Sequence, residues 1–419
     1  MIAMGSTGDV KPYVAFGREL KRRGHEVTIA AFSGFESMIE GAGLRSFTLA
    51  GDVKEMMANI MSPSSKGATY LYQLNKSVEK AAPSTLRDLM ESCRDADAMI
   101  CAFFGSVFYS IAEYYHIPCI QTQYFPMDPS ELTAIASSPF TDGGKWINSF
   151  SYKVGYLLIG VVEKHLLADW REAHGMPRRR LTTGPDYTCD GHRVPVIYAT
   201  STCVMPRPES WDEHIYQTGF WFDDDEPAWE PPADLTAFLE NGEPPVYIGF
   251  GSMRSGDMQR TYAEVLRAVH AAGVRAIVNL GWAGDQVSLA SNNRVWFADA
   301  IPHSWLFPRV QAVVHHGGCG TTAAGLRAGK PTLVIPFGAD QPYWGSRVNA
   351  IGCGPKPIQR TYLTARKLAE ALVDLTSDPS YRENARRVAA GIAKEGGVRA
   401  AADIAEAEIA AWRKSDSKE

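Results

Sequence analysis

The feature that most constrains the fold is an alternation of short apolar runs with helical stretches, which the chain shows twice. In the first half, the pattern predicts strands at residues 2–4, 25–31, 98–104 and 118–123 and helices at 13–23 and 106–115. In the second half, it predicts strands at residues 245–250, 275–280, 295–297, 312–315 and 332–336 and helices at 258–271, 321–328, 365–376 and 379–393. Strands that alternate with helices form parallel sheets covered on both faces. The sequence therefore predicts an α/β protein with two doubly wound parallel-sheet domains.

A segment rich in acidic residues, proline and tryptophan, FWFDDDEPAWEPP at residues 220–232, separates the two halves. This composition is typical of a linker, and a chain of 419 residues is long enough for two domains. We predict a first domain at residues 1–219, a linker at 220–234, a second domain at 235–396 and a C-terminal helix at 397–419 that packs back on the first domain. Because doubly wound domains bind ligands at the carboxyl ends of their strands, the expected site is the crevice between the domains.

Composition and charge argue against several classes of protein. Lysine and arginine total 42 against 47 acidic residues, so no strongly basic face for nucleic acid is expected. The seven cysteines form no C-x-x-C pair and the N-terminus has no secretory pattern, which favours a cytoplasmic location. The apolar run at residues 154–162 is about half the ~20 residues that span a bilayer. A buried or acceptor-lining helix is the favoured interpretation, and a weak peripheral membrane contact stays open.

The richest local signal is VVHHGGCGTTAAG at residues 313–325. A strand ends there in a glycine turn that opens a helix, and backbone N–H groups at the positive end of a helix attract phosphate. His316 is placed to donate a hydrogen bond to a phosphate oxygen. A purely structural turn, with the histidine satisfied by the backbone, explains this segment equally well.

Asp340 and Gln341 follow the next predicted strand, in PFGADQPYW at residues 336–344. A carboxylate beside a carboxamide suits sugar hydroxyls, and an Asx turn before Pro342 is the alternative. Asp223, Asp224 and Asp225 in the linker offer a second acidic feature. A solvated turn is favoured there over a metal cluster, because no strand leads into the run, and we expect no metal site.

These segments, together with PVYIGFGSM at residues 245–253 and IPHSWLFPRV at 301–310, resemble the family-one nucleotide-sugar glycosyltransferases. More narrowly, they resemble the branch of sterol glucosyltransferases and glycopeptide-antibiotic glycosyltransferases, which TGFWF at residues 218–222 also fits. The resemblance covers most of the chain in the family's order. It implies a GT-B fold, in which two Rossmann-like domains flank a cleft, with the acceptor in the N-terminal domain and the donor in the C-terminal one.

The resemblance also implies donor-site roles for the matching residues. Gly251 and Ser252 would border the diphosphate, Ile301 and His303 would lie beside the nucleobase and ribose, His316, Gly318, Gly320 and Thr321 would hold the diphosphate, and Asp340 and Gln341 would bind the hexose. Plant relatives begin the motif with a tryptophan that stacks on uracil, and residues 300–302 contain none. Whether the donor carries uracil or thymine therefore stays open.

MGSTGDVKPY at residues 4–13 is similar to the same branch, in which the loop carries G-S-x-G-D-V-x-P. The resemblance implies that Asp9 is the general base that takes the proton of the acceptor hydroxyl. The alternative is that Asp9 caps a helix beginning near Pro12. His25 is interpreted as a surface or strand-entry residue.

Aromatic and apolar residues after the predicted strands of the first domain suggest a lipophilic acceptor. The candidate acceptor-binding residues are Ser6, Phe103, Phe104, Tyr124, Phe125, Met127 and Trp146. Together with the resemblance, they predict an inverting, metal-independent hexosyltransferase that uses a nucleotide sugar, with UDP-glucose favoured, and no other cofactor. A sterol, triterpenoid, polyketide or flavonoid would accept the sugar. The alternatives are a nucleotide-sugar-binding protein without transfer activity and a GT-B epimerase or hydrolase.

Overall fold

The computed structural model describes residues 1–51, 83–102, 105–135, 138, 141–179, 182, 184–225, 229–251, 258–281, 291–298 and 301–416, without the side chains of 105–106, 158–159, 161–166 and 416. Three residues with predicted roles, Phe103, Phe104 and Ser252, lie outside this part of the chain.

The first half of the chain forms a seven-stranded parallel sheet, which we call the core of the N-terminal lobe. The strands of this half, two of which lie outside the sheet, are β1 (Ile2–Ala3), β2 (Thr28–Phe32), β3 (Arg45–Leu49), β4 (Met99–Cys101), β5 (Cys119–Gln123), β6 (Thr188–Cys189), β7 (His192–Arg193), β8 (Val196–Tyr198) and β9 (Ile215–Gln217). The sheet order is β3-β2-β1-β4-β5-β8-β9, and β6 and β7 form a separate antiparallel pair. The helices are α1 (Thr7–Arg22), α2 (Glu36–Gly41), α3 (83–93), α4 (Gly105–Tyr115) and α5 (Lys145–Ala173).

The second half forms a five-stranded parallel sheet, the core of the C-terminal lobe. Its strands are β10 (Val246–Gly249), β11 (Ala276–Asn279), β12 (Val295–Ala298), β13 (Ala312–His315) and β14 (Thr332–Val334), in the order β12-β11-β10-β13-β14. The helices are α6 (Ala233–Glu240), α7 (Met258–Ala272), α8 (His303–Leu306), α9 (Cys319–Arg327), α10 (Gln341–Ala350), α11 (Ala365–Ser377), α12 (Pro379–Ile392) and α13 (Gly397–Asp416), with 3-10 turns at Phe307–Arg309 and Arg360–Tyr362. The prediction of two doubly wound parallel sheets is confirmed.

The central strands of both sheets are buried between helices. Every residue of β4, β5, β10, β11 and β13 is buried. A strand covered on both faces usually reads as a continuous apolar run, as β4, β10, β11 and β13 largely do, whereas β5 ends in the buried polar residues 121–123. Among the described residues, no helix is both long enough and apolar enough to cross a bilayer.

Helix α1 begins at Thr7, well before the predicted start at residue 13, and Pro12 lies inside it. The N-cap is Ser6 in an extended conformation, and Asp9 occupies the third helical position. The predicted helix start near Pro12 is therefore wrong, and Asp9 is not the N-cap, but its side chain does cap this helix by accepting the Ser6 backbone N–H. The helix starts early because Ser6 and Asp9 satisfy each other's polar groups at its first turn.

The aspartates of the linker contact both lobes. Their partners are two arginines of α1 and one of α9, in the pairs Arg18–Asp223 at 3.2 Å, Arg22–Asp225 at 2.5 Å and Arg327–Asp224 at 2.6 Å. Asp224 and Asp225 remain largely exposed, as the solvated-turn interpretation expects, but all three carboxylates are ion-paired.

The C-terminal helix α13 lies against α1. Arg23, the C-cap of α1, contacts Asp403 at 2.6 Å and Glu406 at 2.9 Å. His25 adds a contact to Glu406 at 2.8 Å, so its place at the entry to β2 also serves to hold α13. These contacts lie on the side of α1 away from its N-terminus, which leaves the Asp9 turn free to face the C-terminal lobe.

Candidate active site

The turn between β1 and α1 places the Asp9 carboxylate at the start of the helix. Its Oδ2 atom accepts the backbone N–H of Ser6 at 2.7 Å and the Ser6 hydroxyl at 3.1 Å. Gly5 is required beside it, since a methyl group built on Gly5 would overlap the carboxylate. The predicted acceptor residue Ser6 thus acts directly on the predicted base.

Burial raises the pKa of Asp9, and the hydrogen bonds from Ser6 oppose that shift. Buried aromatic residues lie on this side of the lobe, with the rings of Tyr13 and Tyr124 6.1 Å apart and those of Tyr124 and Trp221 6.2 Å apart. The Tyr13 hydroxyl is paired with the Thr122 hydroxyl at 2.7 Å. A carboxylate with a raised pKa is a better proton acceptor, so the surroundings suit Asp9 to general base catalysis.

The turn between β13 and α9 exposes backbone N–H groups at a helix N-terminus. The N-cap is Gly318, which provides no side-chain hydrogen bond to the first turn. Gly317 has a φ of 96°, and a Cβ there would lie 2.6 Å from Val334 Cγ1, so only glycine fits the turn. Thr321 lies in the first turn of the helix and is partly exposed. The predicted phosphate-binding residues are therefore brought together at one end of α9.

The His316 ring lies between Gly318 of this turn and Gly251, which follows the neighbouring strand β10. A Cβ on Gly318 would lie 2.5 Å from its Nε2 atom, and a Cβ on Gly251 would lie 3.2 Å from its Cε1 atom. Burial lowers the pKa of His316 to about 4, so the imidazole is neutral near pH 7. Its Nδ1 atom is buried without a hydrogen-bond partner among the described residues. A neutral imidazole in this position can hydrogen-bond a ligand oxygen without bringing a charge of its own.

Asp340 and Gln341 lie where β14 gives way to α10, with Asp340 as the N-cap. The Asp340 Oδ2 atom accepts the indole N–H of Trp344 at 2.9 Å, so the carboxylate is oriented by its own helix. The Gln341 Oε1 atom accepts the backbone N–H groups of Phe337 at 2.7 Å and Gly338 at 3.3 Å. Gln341 therefore also braces the loop that presents Asp340.

His303 and Ile301 lie at the start of α8. The His303 ring stacks on Phe307 with 4.3 Å between centroids, and its Nε2 atom lies 3.4 Å from the Tyr247 hydroxyl. Ile301 is buried against the same group of residues. These two predicted nucleoside neighbours thus form one apolar and aromatic surface at the end of the C-terminal sheet.

The two turns meet across the cleft between the lobes. Cys319, the first residue of α9, packs against the hydrophobic core of the N-terminal lobe. Burial raises the pKa of its thiol, and the charges of Asp340 and Asp9 add to the shift. Burial raises the pKa of Asp340 to about 7; the Trp344 hydrogen bond opposes this shift and the charge of Asp9 adds to it. The candidate base therefore acts electrostatically on the candidate sugar-binding carboxylate.

The candidate acceptor residues separate into two groups. Tyr124 and Met127 are buried after β5, and Phe125 is partly buried beside them. Trp146, in contrast, is 86% exposed at the start of α5 and does not join that wall. Tyr152 is buried on the other side of α5 and packs with Met127.

Several residues that shape the site were not singled out by the sequence. His315 is fully buried, and its Nδ1 atom accepts the Gly317 N–H at 2.9 Å, which fixes the glycine turn. Trp344 orients Asp340, and Gly5 makes room for Asp9. Only His315, the first histidine of the HH pair, left a local signal, since Trp344 and Gly5 act through contacts that the sequence does not reveal.

No cluster of three or more potential metal ligands occurs among the described residues. The carboxylates of Asp223, Asp224 and Asp225 are engaged by arginines, as described above. Their geometry gives no support for a cation site in the linker.

Comparison with known proteins agrees with this arrangement. Residues 1–131 match the glycosyltransferase family 28 N-terminal domain, and residues 265–406 match the erythromycin biosynthesis protein CIII-like C-terminal domain. The glycosyltransferase of kitacinnamycin superposes with a TM-score of 0.70 at 20% identity, covering 97% of this chain and 98% of its own. The chain belongs to the GT-B glycosyltransferases. The calicheamicin glycosyltransferase CalG4, with a TM-score of 0.69 at 19% identity and 98% and 97% coverage, has the same fold.

Relatives with higher sequence identity within this GT-B family carry sterol-related names. The sterol 3-beta-glucosyltransferase of Debaryomyces hansenii is 32% identical over 95% of this chain. Sterol 3-beta-glucosyltransferase UGT80A2 of Arabidopsis thaliana is also 32% identical over 95% of this chain. The chain spans 26% of the length of the first relative and 63% of the second. The predicted family and branch are confirmed.

Proposed function

We propose that this GT-B protein transfers a hexose, with glucose from UDP-glucose as the expected donor, to the hydroxyl of a lipophilic acceptor such as a sterol. The observation that carries the proposal is the meeting of two turns across the cleft, where the charge of Asp9 acts on Cys319 and Asp340 beside the start of α9. A base and a phosphate-binding turn in one cleft are what transfer from a nucleotide sugar requires.

The proposed reaction is a single displacement with inversion. The acceptor oxygen forms a bond to the anomeric carbon of the hexose while the bond from that carbon to the diphosphate oxygen breaks. The hydroxyl proton passes to a carboxylate oxygen of Asp9, whose raised pKa favours its uptake. The nucleoside diphosphate leaves with the electron pair of the broken bond.

Charge that develops on the leaving diphosphate would be stabilised by fixed dipoles of the C-terminal lobe. The first turn of α9 presents N–H groups that have no side-chain cap, and the neutral imidazole of His316 lies beside them. Such preorganised donors stabilise developing negative charge in place of a bound cation. We therefore propose metal-independent transfer.

The sterol 3-beta-glucosyltransferase names of the relatives support a sterol acceptor and a glucosyl donor for this chain. The aromatic side chains of Tyr124, Phe125 and Trp221 near Asp9 support a lipophilic acceptor. Among proteins of the same fold, VinC, which covers 98% of each chain with a TM-score of 0.65 at 16% identity, was solved with dTDP. The donor test must therefore include thymidine sugars.

The test is a matrix of UDP-glucose and TDP-glucose against sterols, phenolics and polyketides, with product detected as a mass gain of one hexosyl unit. We expect product with UDP-glucose and a sterol, undiminished in excess EDTA, with a β linkage by NMR. Strict dependence on Mg²⁺ or Mn²⁺ would contradict the mechanism. Tight UDP binding without product from any pair would instead favour a binding protein, and release of free sugar would favour a hydrolase.

A further inference from the structure

An exposed apolar face on α5 stands out from the rest of the surface. Its residues, which we call the α5 stripe, are Trp146, Ile147, Phe150, Val154 and Leu157, with exposed fractions of 86%, 53%, 63%, 42% and 40%. We propose that the α5 stripe docks the protein on the surface of a lipid bilayer that carries anionic lipids.

The stripe is a single face of the helix. An α-helix turns about 100° per residue, so the five side chains fall within an arc of about 100°. The opposite face is buried, with Asn148 and Tyr152 fully covered and the Tyr156 hydroxyl donating to the Met127 carbonyl at 2.9 Å. Contacts with the protein on one side and exposed apolar groups on the other are the pattern of a helix lying in a membrane interface.

The charges along the stripe favour an anionic lipid surface over a second copy of the chain. Residues 145–162 contain two charged side chains, Lys145 and Lys153, and no acidic one. Both lysines are exposed; Lys153 lies at the edge of the stripe, about 20° round the helix from Trp146, whereas Lys145 directly precedes Trp146 and lies about 100° from it, on the side away from the stripe. A symmetric contact between two copies would bring these lysines towards each other, whereas anionic headgroups would neutralise them.

The acidic residues nearest the start of α5 are committed to local contacts. Asp142 accepts the Gly144 N–H at 2.8 Å and the Asn148 amide at 2.9 Å. Glu131 accepts the Ser210 hydroxyl at 2.8 Å. Burial opposes the lowering of the Glu131 pKa, to which hydrogen bonds and the charge of Lys145 contribute, so the Lys145 charge is already partly balanced and Lys153 carries most of the attraction for anionic lipid.

The choice of a bilayer also rests on the proposed function, because a lipophilic acceptor resides in membranes. The buried face of α5 packs on Met127, which belongs to the candidate acceptor wall. Docking through the stripe would hold that wall beside the lipid from which the acceptor is taken.

Vesicle co-sedimentation of the full chain tests the docking directly, without donor or acceptor. We expect binding to vesicles of phosphatidylcholine with 30% phosphatidylserine, about tenfold weaker binding to phosphatidylcholine alone, and a similar loss for Lys145→Glu with Lys153→Glu. Trp146→Ser with Phe150→Ser should weaken binding at least about tenfold. Tyr362→Ser with Val373→Ser is the matched control, since these exposed apolar residues of the C-terminal lobe lie elsewhere and should not affect binding.

A second measurement separates docking from catalysis. Ile147→Ser with Leu157→Ser should keep the turnover of a detergent-dispersed acceptor and lower that of the same acceptor embedded in anionic vesicles. Vesicle binding without any transfer would leave the docking standing and overturn the proposed function. Failure of the parent chain to bind anionic vesicles would overturn the docking. A dimer seen by light scattering, or a cross-link from the stripe to residues 52–82, would then identify the occupant of the stripe.

Discussion

The two turns of the cleft are built alike and carry opposite electrostatics. Each is a strand end, a glycine turn and the first turn of a helix, β1 to α1 in the N-terminal lobe and β13 to α9 in the C-terminal lobe. In the first, the helix N-terminus receives the carboxylate of its own residue, Asp9, through the Ser6 N–H. In the second, the N-cap is Gly318 and no side chain caps the turn.

This difference shows how one structural unit can serve either substrate. A helix start that holds its own anion repels a diphosphate and offers a proton acceptor instead. A helix start without a side-chain cap, beside the neutral His316, can receive the anion of a ligand. We propose that the partition into acceptor and donor lobes follows from one carboxylate at the third position of α1 and its absence from the same position of α9.

The largest expected effect comes from removing the charge that distinguishes the first turn. Asp9→Asn should lower kcat by about 10²–10⁴-fold, because the amide cannot take the acceptor proton but can keep the Ser6 N–H hydrogen bond. Steady-state kinetics and UDP titration calorimetry would separate kcat from donor affinity, which should not change. Asp225→Asn in the linker is the control for loss of a carboxylate. A rate within tenfold of the parent would show that Asp9 is not the base.

In the second turn, alanine variants of the two adjacent histidines should lose different properties, donor use in one case and stability in the other. His316→Ala should lower kcat/KM for the donor by about 10²-fold with little change in Tm, because its Nδ1 atom has no hydrogen-bond partner among the described residues. His315→Ala should instead lower the free energy of unfolding by about 1–3 kcal/mol, since the buried Gly317 N–H loses its acceptor. Kinetics combined with thermal melts checks both. Equal loss of stability in the two variants would contradict a ligand-binding role for His316 and a structural role for His315.

A methyl group on the glycine beside each key residue should displace it without changing its chemistry. Gly5→Ala should displace Asp9 and lower kcat, whereas Gly318→Ala should displace His316 and raise the donor KM, each by about tenfold or more. Gly41→Ala in α2 is the control, because it belongs to neither turn and, among the described residues, no atom beyond its own helix and chain neighbours lies within 4 Å of the added Cβ. A rise in donor KM caused by Gly5→Ala would contradict the assignment of donor binding to the C-terminal lobe alone.

The smallest effect concerns the charge that links the lobes. The pKa of Asp340 is raised to about 7, so the carboxylate takes up a proton as the pH falls through that value. We expect the donor KM to rise a few-fold between pH 8.5 and 6 as an acceptor for sugar hydroxyls is lost. Asp340→Asn should flatten this dependence.

The same variant has a stability readout with a definite sign. A carboxyl group whose pKa is raised by folding destabilises the folded state progressively as the pH rises from its unfolded value near 3.8 to about 7. The gain in unfolding free energy of Asp340→Asn over the parent should therefore grow across that range. Denaturant titrations at pH 5 and 8 would measure it, and a gain that shrinks with pH would contradict the assigned pKa.

The sequence was sufficient for most of the regular structure. Strand β13 falls on the predicted residues 312–315, and helices α7, α11 and α12 end within a residue of their predicted bounds. These elements are long or wholly buried, so the apolar pattern reports them directly. Strands β8 and β9 were missed because three residues are too few to show a period, and β3 was missed because it is a half-exposed strand and not a buried apolar run.

The candidate site was only partly accessible in this way. Glycine turns and their neighbouring polar residues are local patterns, so Asp9, His316 and Asp340 could be proposed from sequence. Their protonation could not, because burial by residues distant in the chain sets the pKa values of all three. The exposure of Trp146 was equally hidden, since an apolar residue on a helix looks the same whether its face is covered or not.

The sequence by itself thus determined that the chain forms two parallel sheets, where most of their strands lie and where the glycine turns fall, because these features depend on residues close together in the chain. Tertiary structure alone decided that one turn is filled by Asp9, that His316 is held neutral between Gly251 and Gly318, and that the two turns face each other. Desolvation and proximity are properties of packing between distant segments, and no local pattern records them.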